Sequence, residues 1–421
     1  MSREFDMVVV GAGPVGCVMA ALALARNLAA PGRVAVVAER ISSPSPRRAA
    51  AAIEAAGASA GIPWDLRVFA LSRASQRVLE LCGVWKTLPS HFVVPYERMC
   101  VWDESGTALG RGSLTFDCAE LGEPDLGFIV DGQALQDRCV QAAGAAGAVL
   151  IESAVRAIEV TERGVRIALS DGRELGSPLV IAADGAGSTT RELLGIAIAG
   201  HTYHQDALVA HVRTAEPHRS TAWQRFLPTG PLALLPLSDG RSSIVWSTTR
   251  KESERLRALD PPRFAAAVLE ASGGVLGDIE LTTPVASFPI HLQYALDYVR
   301  PRAALVGDAA HAVHPLAGQG LNLGLLDCAS LAEALGEAGA SLGDYGPLRR
   351  YERRRKSENL ITAAALDGLE RLFSSSNPGI ARLRAAGLGA VGGLSFVKRK
   401  LAKRALGIDG DVPAFVKAQI P

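Results

Sequence analysis

With 421 residues, 48% hydrophobic and 21% charged, the chain has the composition of a folded protein long enough for two domains with substantial cores. A formal net charge of +1 supplies no electrostatic footprint for nucleic acid. The six cysteines (Cys17, Cys82, Cys100, Cys118, Cys139, Cys328) form no CxxC pair, which argues against a disulfide framework or a zinc site and for a reducing cytoplasm.

Asp6 and early glycines interrupt the apolar N-terminus at the wrong place for a signal peptide. No apolar run nears the ~18 residues of a membrane span, so none is expected. Phe5 to Val10 reads as a strand, and Gly11-Ala12-Gly13-Pro14-Val15-Gly16 then opens an apolar helix running through Asn27. Gly11, Gly13 and Gly16 in this setting allow a tight turn and bring a pyrophosphate close to a helix start. A second strand, Val34 to Val37, ends at Glu39-Arg40, where a dinucleotide-binding unit places its acid for ribose hydroxyls. Residues 42 to 63, rich in Pro, Ala and Gly, read as a loop with a helical turn or two near Ala49 to Ala56. Asp65 to Ser72 then leads into an amphipathic stretch, Ser75 to Cys82.

From Tyr96 to Phe128 short alternating segments predict antiparallel strands of a substrate domain. Gly127 to Val130 returns to the cofactor domain, Gln133 to Ala142 is helical, Ala148 to Ile151 and Val155 to Val160 are strands, and Gly164 to Gly172 is a hairpin. The run from Leu179 to Ser188, continuing to Arg191, is again an apolar strand ending in an acid and a glycine, Asp184-Gly185. Tyr203 to Ala207 precedes another strand, and Trp223 to Leu237 with Ser243 to Trp246 supplies further sheet. Trp223, Phe226 and Trp246 are core residues first and ligand contacts second.

Ala304 to Val306 is a short buried strand that stops at Gly307-Asp308. Pro315 breaks the chain, and Gly318, Gln319 and Gly320 precede a helical pattern starting near Leu321. Unpaired N–H groups at that start suit an electron-rich group, so the residues alone support a dinucleotide at the first glycine loop and a ring system here. Pro347 to Phe373 is one or two helices with Arg349, Arg350, Arg353, Arg354, Arg355 and Lys356 on a solvated face. The tail is apolar from Leu388 to Val397 and then basic (Lys398, Arg399, Lys400, Lys403, Arg404), which suits an anionic membrane surface as well as packing on the catalytic body or on a partner.

The string from Gly307 to Asp327, GDAAHAVHPLAGQGLNLGLLD, resembles the second flavin-binding motif of the FAD-dependent ubiquinone-biosynthesis hydroxylase family, which are class A flavoprotein aromatic monooxygenases similar to para-hydroxybenzoate hydroxylase. Two further motifs of that family, at Gly11 and Asp184, occur in the matching order. The resemblance implies an α/β fold: a doubly wound FAD-binding domain (1–95, 127–190, 296–345), an interleaved α+β substrate domain on an antiparallel sheet (96–126, 191–295), and a C-terminal helical region (346–421). It implies that Asp308 holds the ribityl chain, and that Pro315 with Gly318, Gln319, Gly320, Leu321 and Asn322 lies along the isoalloxazine. Arg67 and Asp184 then approach the pyrophosphate, and Val155 belongs to the cofactor set. The family carries an asparagine where this chain has Asp131-Gly132-Gln133, so Gln133 or Gln136 takes its flavin contact.

The implied reaction is FAD-dependent hydroxylation of a polyprenylated phenol in ubiquinone biosynthesis, through a flavin C4a-hydroperoxide, with NAD(P)H and O2 as co-substrates. A base near the ring helps, because a phenolate reacts faster. Tyr203, His204, His211 and His314, beside Pro315, are the candidates. His311 and His314 lack a third ligand, so no metal is expected. Expected partners are the phenol, O2, other ubiquinone-biosynthesis proteins and a membrane surface, with no nucleic acid; the expected location is the cytoplasm, at the inner face of the membrane. Two alternatives stay open: a flavin hydroxylase of a soluble aromatic, and a non-catalytic flavoprotein subunit.

Overall fold

The computed structural model describes residues 3–41, 62–110, 112–313, 318–337, 341–374, 395–407 and 410–417. His314, Pro315, nearly all of the 42–63 loop and most of the apolar tail lie outside the described residues. A six-stranded sheet is the first organising element. Its spatial order is Val299–Arg300, Ala303–Leu305, Val180–Ala182, Met7–Val10, Val34–Ala38, Val149–Glu152, parallel except for the first pair. Val-rich runs form it because both faces are covered. Met7 and Val9 pack among the helices on one side, while Val8 and Val10 pack against residues of a four-stranded sheet on the other. The helix side is built from α1 (Pro14–Ala25), α2 (Gly132–Ala145) and α3 (Gln319–Glu337), with α1 touching both of the others.

The second element is a nine-stranded sheet that includes Ile198–Thr214, Ser242–Thr249, Gly230–Pro236, Thr221–Leu227 and Arg98–Asp103 as neighbours. Strand alternation gives it two unlike faces. Leu208, Trp223, Leu232, Ile244 and Trp246 pack on Phe264 and Val268 of the Pro261–Ser272 helix. Trp223 and Trp246 therefore belong to a core on the far side. The opposite face carries Val209, Gln224, Phe226, Ala233, Leu235 and Val245, and it looks toward the cofactor sheet. Leu235 packs with Val68 and Ala70, and Phe226 with Val313. The chain crosses between the sheets within a few residues: Ala303–Leu305 belongs to the first and His311–Ala312 to the second.

Helix α4 (Tyr345–Ser374) is a single element of 30 residues, about 45 Å long, and spans both sheets. Near its start Tyr351 donates to the carbonyl of Leu305 at 2.6 Å. Near its end Phe373 stacks on Phe226. The arginine cluster is not a uniformly solvated face, because Arg355 is buried and ion-paired to Asp327 at 2.8 Å. The strand expected to follow Tyr203 to Ala207 begins earlier, at Ile198, and absorbs the polar stretch through a register shift between Thr202 and Asp206. His204 takes a left-handed φ of 54° at that shift.

Candidate active site

Three glycine-containing turns meet at the carboxyl ends of adjacent parallel strands, Met7–Val10, Val180–Ala182 and Ala303–Leu305, where open α/β sheets bind ligands. Gly11 has φ 113°, and a Cβ there would sit 2.2 Å from the carbonyl oxygen of Ala183. Gly16 would meet the carbonyl of Gly11 at 1.9 Å. Gly13 differs: a Cβ on it would meet nothing within 4 Å. Gly13 is also the N-cap of α1, with no side-chain cap and no acid in the first turn. Open space in front of uncapped N–H groups fits a pyrophosphate.

Arg191, only 3% exposed, ties two of the turns together by donating to the carbonyls of Ala186 at 3.0 Å and Ala309 at 3.1 Å. Gln136 donates to the carbonyl of Ala12 in the first turn. Gln133 instead bonds Asp137 in its own helix at 2.8 Å, so of the two amides Gln136 is the one that reaches the glycine loop. Asp184 accepts from Ser188 and from the Thr190 amide at 2.9 Å, capping a short helix.

The segment around Asp308 is built as tightly. Gly307, with φ 60°, lies against Val15 of α1. Burial pushes the Asp308 carboxyl above its ordinary value, and the charges of His311 and Arg67 partly oppose this. Gly320 passes Asp308 without a side chain; its Cβ would lie 3.9 Å from Oδ1. Gly318, φ 61°, packs against Ala70. Asn322, 2% exposed, clamps this turn: its Oδ1 accepts from Ser72 N at 2.8 Å and Ser75 Oγ at 2.6 Å, while Nδ2 donates to Ala70 O at 2.8 Å and Gly318 O at 3.0 Å. Its amide is spent on protein, so Asn322 shapes the turn. Gln319 opens α3 and Leu321 is partly buried behind it.

Glu39 and Arg40 are exposed just past Val34–Ala38. The Ser153 amide bonds the Ala38 carbonyl at 2.8 Å, bringing the Val155 strand to the same corner. Arg67 lies over the Phe69 ring at 4.9 Å.

The candidate bases do not converge. Tyr203 donates to Asp367 at 2.9 Å, and His211 bonds the Asp65 carbonyl through Nε2 at 2.9 Å. They are eight positions apart on one strand, about 26 Å, too far to serve one ring. His211 is fully buried, which lowers its pKa and keeps it neutral. His204 is exposed.

A buried polar network behind Asp308 escaped the sequence reading. Asp327 accepts from Gly307 N at 3.1 Å and His311 Nε2 at 2.5 Å with one oxygen, and from Arg355 at 2.8 Å and Asn359 at 3.1 Å with the other. A lone acid in the apolar run Leu323 to Leu331 was its available signal.

Comparison with known proteins adds to this geometry. A family described as FAD binding domain matches residues 134–362, just over half of the chain. A ubiquinone hydroxylase, UbiL, of Rhodospirillum rubrum is 36% identical over 407 residues, covering 96% of this chain and 89% of that protein. The 3-demethoxyubiquinol 3-hydroxylase of Escherichia coli is 34% identical over 351 residues, covering 82% and 88%. Among solved structures, p-nitrophenol 4-monooxygenase PnpA from Pseudomonas putida superposes with a TM-score of 0.76 at 20% identity, covering 98% of this chain and all of that one; at that identity it speaks for the fold.

Proposed function

The chain belongs to the family of FAD-dependent monooxygenases that contains the ubiquinone-biosynthesis hydroxylases, and from that premise we propose how its site works and on what. It is an FAD-dependent aromatic hydroxylase of ubiquinone biosynthesis, acting on a polyprenylated phenol with O2 and NAD(P)H. The observation that carries the site reading is the open space before Gly13, in line with the turns at Asp184 and Asp308, beneath a mostly apolar sheet face.

FAD supplies electron transfer from NAD(P)H and the activation of O2. The amides at the start of α1 bind the pyrophosphate, and the Asp308 carboxylate accepts from a ribityl hydroxyl, which repays its burial. Glu39 and the Val155 corner take the adenosine end. Gly318 to Leu321 presents backbone to the ring system, held in place by Asn322. Val209, Ala233, Leu235 and Val245 exclude water from the reacting face. We read 1–95, 127–190 and 296–345 as the cofactor domain, 96–126 and 191–295 as the substrate domain, and 346–421 as the helical region bracing both. Contact with a membrane surface through the C-terminal segment is part of the same proposal; Phe396, 74% exposed, beside exposed Arg399, Lys400 and Lys403 supports it.

The test is a mass-spectrometric quinone profile of cells lacking this protein, complemented with the wild type or with Asp308→Ala. Loss of ubiquinone with accumulation of a prenylated phenol one oxygen short, rescued only by the wild type, is the expected outcome. An unchanged profile, with turnover of small water-soluble phenols by the pure protein, overturns the substrate in favour of a soluble aromatic.

A further inference from the structure

The face that looks toward the cofactor turns carries His211, Ser243 and Ser247 along its Val245 strand and its neighbour, and sets Gln224 among Ala, Val and Leu on the other side. Gln224 has Ala233 as its cross-strand partner on one side and Val101 on the other, and Ala233 is in turn opposite Val245. Alternation puts Gln224 on the side of Phe226, which packs with Val313 at the entrance to the Asp308–Gly320 region. Ala233, Leu235 and Val245 are only partly buried, whereas Leu232, Leu234 and Ile244 on the other face are almost wholly enclosed. The first three side chains are therefore open to solvent or to a ligand on this face. Gln224 is 5% exposed, and among the described residues its amide has no hydrogen-bond partner.

No protein group among the described residues bonds the Gln224 donor or acceptor, and neither polar atom is sealed off from solvent. Both remain available to a ligand. The cations nearby are committed elsewhere: Arg225 turns to the carbonyls of Glu104, Glu270 and Ala271, and Arg241 is paired to Asp239 at 2.7 Å. The wall thus offers a neutral hydrogen-bonding group and no counter-charge for a carboxylate.

We propose that the Gln224 amide is the specificity-determining anchor for an oxygen substituent of a neutral aromatic ring, and that this contact selects which ring carbon faces the flavin. The proposal rests on the hydroxylase reading above. A phenolic O–H donates to Oε1, and an adjacent hydroxyl or methoxy oxygen accepts from Nε2. A benzoate is disfavoured, because its carboxylate would meet no free cation among the described residues of this wall.

The test uses FAD-loaded wild type and Gln224→Leu, which keeps the volume and removes both polar atoms. A prenylated phenol and its O-methyl ether are compared by their perturbation of the flavin absorbance, and products are identified by mass spectrometry and NMR. The wild type is expected to prefer the phenol at least about tenfold and to give one regioisomer. In the variant the preference falls to near unity, product position scatters, and NAD(P)H oxidation uncouples from hydroxylation, while FAD content and spectrum are unchanged.

The ligand-free variant is expected to melt within a few degrees of the wild type, because no protein hydrogen bond is removed. Retained preference with a single regioisomer overturns the proposal, and so does a much lower melting temperature, which would reveal a structural partner for Gln224. If the wild type ignores prenylated phenols but shows the same Gln224-dependent preference for a soluble phenol over its ether, the substrate reading fails and the anchor stands.

Discussion

Gly11 and Gly13 stand two positions apart and answer oppositely to an added side chain. At Gly11 a Cβ runs into the Ala183 carbonyl at 2.2 Å with the backbone at φ 113°, so Gly11→Ala loses roughly 3 kcal/mol of folding stability. At Gly13 a Cβ meets only open space, so Gly13→Val changes the ligand-free fold by no more than about 1 kcal/mol yet fills the space that we propose for the pyrophosphate. Thermal melts of the FAD-free proteins and the flavin absorbance bound after reconstitution separate the two: Gly11→Ala melts early, and Gly13→Val melts normally but stays colourless. This asymmetry was invisible in the string GAGPVG, which shows that glycine is needed at both positions without showing why. Asp184 was legible as an acid at a strand end, but not as one whose carboxylate caps the Thr189–Leu193 helix. Gln224 carried no signal at all, because an amide in a strand is unremarkable until the strand's neighbours prove apolar.

Helices and strands were legible where burial follows a simple period and illegible where a single polar contact overrides it. α1 and the valine strands follow from their apolar runs. The strand from Ile198 does not, since its first half is polar and bends at a shift that only the partner strand defines. Arg355 sits inside a run of arginines that reads as solvated, and only α3 lying alongside shows that it meets Asp327. That pair links α3, α4 and the Gly307 turn, and it makes a pH prediction. Burial pushes the Asp327 carboxyl up, but the positive charges at His311 and Arg355 prevail and hold it at about 2, below its ordinary 3.8. A depressed carboxylate stabilises the fold above its unfolded value and loses that contribution as pH falls from about 4 toward about 2. Asp327→Asn therefore destabilises at neutral pH by about 3 kcal/mol or more, leaving Arg355 buried without its partner. Urea midpoints followed through this acid window should fall steeply for the wild type and less so for the variant; parallel slopes would refute the assignment.

At the scale of the whole molecule the architecture was legible because three spaced motifs resemble one family, whereas the docking of the C-terminal helix was not. Residues 395–405 are fastened to the body: Lys398 reaches Glu120 at 2.6 Å and Arg404 reaches Glu358 at 2.7 Å. Lys398 and Arg404 thus have acidic partners on the protein, which moderates any membrane attraction. Sedimentation with anionic vesicles is expected to be weak and to vanish at high salt, and replacing Phe396 by Ser with Lys400 and Lys403 by Glu should abolish it; unaltered sedimentation of that variant would assign the attachment elsewhere. No helix among the described residues is long and apolar enough to cross a membrane. The order of the parallel sheet carries a different consequence, for how the chain comes into being. Val180–Ala182 is flanked by Met7–Val10 and by Ala303–Leu305, so a nascent chain that has emerged only through the middle of the protein holds a parallel sheet with an unpaired, apolar edge. At about 5–20 residues per second, that edge waits several seconds or more for its last strand, and the interval is when chaperones would matter most for yield.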